Sequence, residues 1–220
     1  HTCMLAQSIL VSGGDALAFE RDFAWRLRWW FAGLPAGIGL ATLRSILKLW
    51  LFVPQRFRGV HSAGNGPAMR SALLGVCFSD DEARMAELVR ISTRLTHIDP
   101  KAECGAMAIA LAARCSLRGE SFERFHADLR RLTARHGEAA IELLGLAERV
   151  SESVHAGQTT SAFAMGIGCA TGVTGYMYHS VPAVLHAWQS HPLDYAAAVK
   201  AIIRCGGDSD TTAAMVGAIV

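Results

Sequence analysis

The sequence predicts an all-α protein, a single orthogonal helical domain over residues 1–220. Three observations lead there. Apolar residues recur at helical spacing along most of the chain, no stretch sustains the alternation of a half-buried strand, and Gly, Pro and His-Pro steps divide the pattern into short segments. Helices are expected at 2–11, 40–52, 82–95, 101–117, 121–135, 137–154, 180–189, 194–204 and 211–220. In 82–95 the stripe is Met85, Leu88, Val89 and Ile91, with Arg84, Glu87 and Arg90 on the polar face. Ser79 and Glu82, three residues apart, read as the capping box that opens it. His97 is expected at its far end, with Pro100 blocking continuation. After Glu103 the 101–117 segment is nearly all Ala, Ile, Met and Leu, which predicts a helix buried on most sides and closely packed.

Composition narrows the class. A chain of 220 residues can bury a core as one domain, and 51% hydrophobic against 18% charged residues is apolar-rich without being membrane-like. Net charge is +2 with acids and bases interleaved, so no nucleic-acid footprint is present. The suspicious stretch, residues 29–53, is broken by Pro35, Arg44 and Lys48 and by Gly33, Gly37 and Gly39, which argues against a spanning helix. Trp25, Trp29 and Trp30 beside Arg26 and Arg28 also fit an interfacial anchor, but buried helices around a Gly-rich turn fit better. The six cysteines are scattered with no C-x-x-C pair, as small buried hydrophobes in a reducing, cytoplasmic compartment would be. A monomer is expected.

The chemistry concentrates in Gly206-Gly207-Asp208-Ser209-Asp210-Thr211-Thr212, which opens into a small-residue apolar run. Asp208, Asp210 and Thr211 place three hard oxygen donors at a helix start, a set that favours Mg²⁺, Mn²⁺ or Ca²⁺ over Zn²⁺. The glycines permit positive φ and close approach of a ligand. The same residues equally describe a helix N-cap. Gly64-Asn65-Gly66 offers backbone N–H groups and an amide side chain, as a phosphate nest does, yet Asn-Gly is also a common turn. His179, His186 and His191 lack metal-ligand spacing and read as structural, and Tyr176 and Tyr178 read as core.

Taken in order, four segments resemble the ADP-ribosylglycohydrolase family. They are Gly64-Asn65-Gly66-Pro67-Ala68-Met69-Arg70, Thr96-His97-Ile98-Asp99-Pro100, the connecting segment Gly172 through Pro182, and Gly206 through Thr211. The resemblance covers nearly the whole chain and implies the same helical fold. It implies that Ser62, Gly64, Asn65, Gly66 and His97 contact the ribose and diphosphate of ADP-ribose. It further implies that Asp208, Asp210 and Thr211 hold Mg²⁺ or Mn²⁺, with the two acids acting in hydrolysis of the C1″ glycosidic bond to a modified protein or other acceptor. The alternative is a non-catalytic ADP-ribose or nucleotide-binding module derived from that enzyme.

The chain departs from the family pattern at its edges. Family members open on a Gly-Asp-Ala-x-Gly segment and a Thr-Asp-Asp-Thr motif, whereas His1-Thr2 resembles only the tail of the second, with His1 at the second Asp. The chain is therefore read as a fragment lacking both ends of the family pattern. An imidazole in place of a carboxylate removes a charge and an oxygen donor, so one ion rather than two and weak or absent hydrolysis are expected. Two look-alikes are set aside: Gly14-Asp15-Ala16-Leu17 with Glu20 comes too late in the chain, and Ser79-Asp80-Asp81-Glu82 is a helix start.

Overall fold

A computed structural model describes residues 1–35 and 37–220. Thirteen α-helices are found among the described residues: α1 (Thr2–Ser12), α2 (Ala16–Ala32), α3 (Leu40–Trp50), α4 (Gln55–Arg58), α5 (Ala68–Cys77), α6 (Glu82–Arg94), α7 (Pro100–Arg118), α8 (Phe122–Thr133), α9 (Glu138–His155), α10 (Thr160–Gly166), α11 (Met177–Ser190), α12 (Tyr195–Ile203) and α13 (Ser209–Gly217). No strand occurs among the described residues. Three isolated β-bridges, Val60 to His97, Gly64 to Tyr176 and Val173 to Gly207, join loops instead. The all-α fold is as expected.

The domain is built around α7, whose residues 102–115 are all buried. Its small side chains let α5 cross very close: a Cβ on Gly75 would lie 1.9 Å from the Ala110 carbonyl oxygen. α6, α8, α9 and α11 pack on its other sides. The same closeness fixes α11, since a Cβ on Gly105 would lie 2.3 Å from Met177 Sδ. This packing holds the N-terminus of α5, the loop before α7 and the loop before α11 on one side of the core, where the bridges sew them together.

Several expectations need correction. Helices α2, α4, α5 and α10 lie outside the expected ranges. α2 is amphipathic, burying Phe19, Phe23 and Leu27, but its intermixed Trp and Arg obscure that face. α5 begins inside the Gly-Asn-Gly motif, and glycines mask helical periodicity. α11 starts at Met177, ahead of the expected 180, and accommodates Pro182. The cap of α6 is Asp81, whose carboxylate accepts from Arg84 N, rather than Ser79. His97 lies beyond the end of α6 in the bridge to Val60, and Pro100 opens α7 instead of stopping α6, with Asp99 as its cap. Cys104, Cys115 and Cys169 are buried as expected, but Cys3 and Cys77 are exposed. Around the Gly-rich turn, Trp25, Trp29, Leu40 and Leu51 are exposed although α2 and α3 each bury one face. Among the described residues no helix is long and apolar enough to cross a membrane.

Candidate functional site

Ser62, Gly64, Asn65, Gly66, His97, Asp208, Asp210 and Thr211 all line one cleft of about 540 Å³. They arrive from three loops far apart in sequence, and the bridges explain the convergence. Asn65 N–H donates to Gly175 O at 2.9 Å and Met177 N–H to Ala63 O at 2.7 Å, which fixes the first loop to the start of α11. Asp208 N–H donates to Val173 O at 2.7 Å, fixing the third loop to the same segment. Ile98 N–H donates to Val60 O at 3.0 Å and brings in the second. Gly207 sits at φ +75°, and a Cβ there would lie 2.1 Å from Val173 O, so a side chain would break this join.

The side chains differ from the simplest reading of the motifs. Asp208 stands at the N-cap position of α13 but makes no side-chain cap bond. Instead its Oδ2 accepts from Asn65 Nδ2 at 2.7 Å, a charge-assisted bond between residues 143 positions apart. One N–H of the Asn65 amide is thus committed to the acid. Two of the three N–H groups of the Gly-Asn-Gly step are also committed, because Gly64 N–H donates to Ser62 Oγ at 3.3 Å and Asn65 N–H to Gly175. The remaining N–H, of Gly66, has no acceptor among the described residues. Asp15 caps α2 through Ala18 N, and Asp80 pairs with Arg118, so neither look-alike reaches the cleft.

His97 is 2% exposed, and its Nδ1 lies 2.9 Å from Thr96 Oγ1. Burial, reinforced by the nearby Arg70 guanidinium, pushes its pKa down to about 3, so the ring is neutral at physiological pH. Arg70 itself is fully buried, and burial lowers its pKa to about 9, which leaves it charged near neutrality. It pairs with no carboxylate among the described residues. Sequence reading included Arg70 in the motif but gave it no role. Trp30, Thr42, Met69 and Gly175 also line the cleft and were missed; the Gly37-Ile38-Gly39 turn beside them was the available signal.

The acids can hold a cation only in part. Asp208 Oδ1 and the exposed Asp210 carboxylate have no donor or cationic partner among the described residues, and with Thr211 they form an all-oxygen set. Oxygen-only donors are of the type that Mg²⁺ and Mn²⁺ take, ions that commonly use one or two carboxylates and keep several waters. No group of three His, Cys, Asp or Glu suited to a metal occurs among the described residues. His1 lines the same cleft, packed edge-on against Trp30 with ring centroids 4.4 Å apart, and its Nδ1 lies 3.3 Å from Arg70 Nη1.

Comparison with known proteins places the chain as a whole. The profile of the ADP-ribosylglycohydrolase family matches residues 1–220. The chain belongs to the ADP-ribosylglycohydrolase family. It is 27% identical to an uncharacterized protein of Archaeoglobus fulgidus over 98% of this chain and 67% of that protein. ADP-ribosylhydrolase ARH3 of Gallus gallus is 28% identical over 83% of this chain, and that of Homo sapiens 31% identical over 77%. The chain spans 58% and 53% of the length of those two ARH3 proteins. A solved structure titled ADP-ribosylglycohydrolase-related protein complex superposes with a TM-score of 0.70 at 24% identity, covering 99% of this chain and 67% of that one, which establishes the shared fold. This member of the family thus has the shared fold and brings its Gly-Asn-Gly, Thr-His and Gly-Gly-Asp segments together around one cleft.

Proposed function

We propose that this single domain binds ADP-ribose in the cleft and serves in hydrolysis of the C1″ glycosidic bond to a modified protein or other acceptor. The observation that carries the reading is the 2.7 Å bond from Asn65 to Asp208, which couples the diphosphate-type loop to the acidic wall. A cleft of about 540 Å³ is in the range of sites that enclose a small ligand. In this reading Gly66 N–H and His97 face the diphosphate and ribose oxygens, with Ser62 and Gly64 shaping the loop. Asn65 holds the Asp208 carboxylate in one orientation. Asp208 and Asp210 face the ribose, where negative charge stabilises an oxocarbenium-like transition state. One Mg²⁺ or Mn²⁺ at Asp208, Asp210 and Thr211, when bound, supplies orientation of the ribose hydroxyls and activation of water.

The second reading is a non-catalytic ADP-ribose module, favoured by the confinement of the acids to a single short segment, Asp208 to Asp210. Calorimetric titration with ADP-ribose, then release of ADP-ribose from modified arginine and serine peptides with Mg²⁺ or Mn²⁺, separates the two. Binding with turnover supports the hydrolase, and binding without turnover supports the module. No heat at millimolar ADP-ribose overturns both.

A further inference from the structure

Helix α3 distributes its side chains against the usual order. The face it turns to the core is half hydroxyl, with Thr42 and Ser45 buried beside Ile46 and Leu49. The face it turns outward carries Leu40, Leu47 and Leu51, which are 67%, 45% and 76% exposed and share one stripe with Arg44. Trp50 and Lys48 flank that stripe on its two sides. Single exposed leucines are ordinary, but an outer face more apolar than the inner one is not explained by packing.

Helix α2 continues the surface. Trp25 and Trp29 are both about half exposed and meet edge-on with ring centroids 6.0 Å apart, and Trp29 meets Trp50 of α3 in the same way at 5.9 Å. The Arg28 guanidinium lies 5.4 Å from the Trp25 ring centroid and 5.2 Å from that of Phe52. It also donates to Leu49 O through Nε at 2.9 Å and Nη2 at 2.7 Å, which clamps α2 to the end of α3. Phe52 is held there at φ +53°, a conformation unfavourable for a bulky residue, with its ring 72% exposed. The tryptophans, Phe52 and the outer leucines of α3 thus make a ridge across two helices.

Charge identifies the occupant. Between Asp22 and Asp80 the chain has seven Lys or Arg and no Asp or Glu. Arg26 is paired with Asp22 and Arg58 with Glu20, but Arg28, Arg44 and Lys48 have no carboxylate partner among the described residues. Lys48 Nζ donates to Phe57 O and Gly59 O instead, at 3.0 and 3.2 Å. A symmetric dimer through this ridge would place two copies of these cations in one interface. Single-stranded nucleic acid would stack on open aromatic faces, whereas these tryptophans pack edge-on to one another and the leucines offer nothing to a base. Exposed leucines with tryptophan and unpaired bases at their border suit the interface of an anionic bilayer.

We propose that the outer faces of α2 and α3 form a docking surface for an anionic lipid bilayer, with Leu47, Leu51 and Phe52 entering the acyl boundary and Arg44 and Lys48 meeting headgroup phosphates. The turn between the two helices also forms one wall of the cleft, through Gly37, Gly39 and Leu40, so docking sets the cleft beside the bilayer. The surface and the proposed function rest on different residues. In co-sedimentation the protein should pellet with vesicles of phosphatidylcholine and phosphatidylglycerol, not with phosphatidylcholine alone, and salt should weaken the binding. Brominated acyl chains should quench the tryptophan emission of the bound wild-type protein. Leu47→Ser combined with Leu51→Ser, both outside the cleft lining, should lower partitioning by at least about tenfold with the helical circular dichroism unchanged. Arg44→Glu should lower it by about tenfold at low salt and less at high salt. Absence of both pelleting and quenching with anionic vesicles overturns the proposal, whether or not the variants fold. So does undiminished binding by the folded double variant. A micromolar dimer, or oligonucleotide binding, that the double variant abolishes while vesicles leave the wild type in the supernatant overturns it as well, and assigns the ridge to that other occupant.

Discussion

Acid should destabilise this protein well above the range where its carboxylates titrate, because two buried histidines fold neutral. His97 is held down to about 3 by burial and the Arg70 charge. His186 is fully buried and held down to about 4, first by burial and then by His191. Around His186 stand the Thr160, Ser190 and Ser153 hydroxyls, at 3.1, 3.2 and 3.1 Å, and its ring stacks on Phe163. None of these supplies a negative charge to support an imidazolium. In the unfolded chain each histidine binds a proton near its ordinary value of 6.5. Below that value the unfolded state holds more protons than the folded one, so stability falls as pH falls, until the folded pKa is reached. Each pH unit in this window costs about 1.4 kcal/mol per histidine. By about pH 4.5 the two together remove roughly 5 kcal/mol, comparable with the whole stability of a small domain. Glu103 adds to this only below its ordinary 4.5: burial opposes its ionisation, but His136, Arg135 and Arg94 hold it down to about 2. Urea unfolding followed by tryptophan fluorescence between about pH 7.5 and pH 4.5 measures the slope, and His186→Asn should remove about half of it. A stability that stays flat across this window, or a measured His97 pKa near 6.5, would refute the reasoning.

Other perturbations test the cleft. Asn65→Ala removes the donor to Asp208 and should cost about 1.5–3 kcal/mol in ADP-ribose binding, read by calorimetry; an unchanged affinity would separate that bond from the site. Asp208→Asn should abolish thermal stabilisation by Mg²⁺ or Mn²⁺ without loss of a helix cap, because its side chain caps nothing. Asp81→Ala should instead cost about 1 kcal/mol and leave metal-dependent stabilisation intact, with the reverse pattern in melting curves marking the wrong acids. Gly207→Ala sets a Cβ against Val173 O at positive φ and should cost about 1–3 kcal/mol and loosen the Asp208 loop, visible as faster amide exchange at Asp208.

Local sequence determined the helical class, the burial of α7 and the start of α6, since apolar spacing and composition are properties of short segments. It also marked the Gly-Asn-Gly, Thr-His and Gly-Gly-Asp segments, through their order and their resemblance to a family pattern, since turns and helix caps use the same residue types. It missed α2, where tryptophan and arginine on the outer face obscure the buried Phe19, Phe23 and Leu27 stripe, and α5, where glycines serve packing against Ala110. What each side chain does could not be read there either. Asn65 offers the same amide to a ligand or to an acid, and Asp208 the same carboxylate to a cap or to a neighbour. Only the pairing of loops through Gly175 and Val173 puts them 2.7 Å apart. Thr96 and His97 are adjacent in sequence, but the Arg70 that donates to Thr96 Oγ1 comes from α5, and its burial depends on α5 lying against the core. Residue type sets which bonds a group can make, while burial and the chosen partner set which one it makes, and those are decided by contacts between segments far apart in the chain.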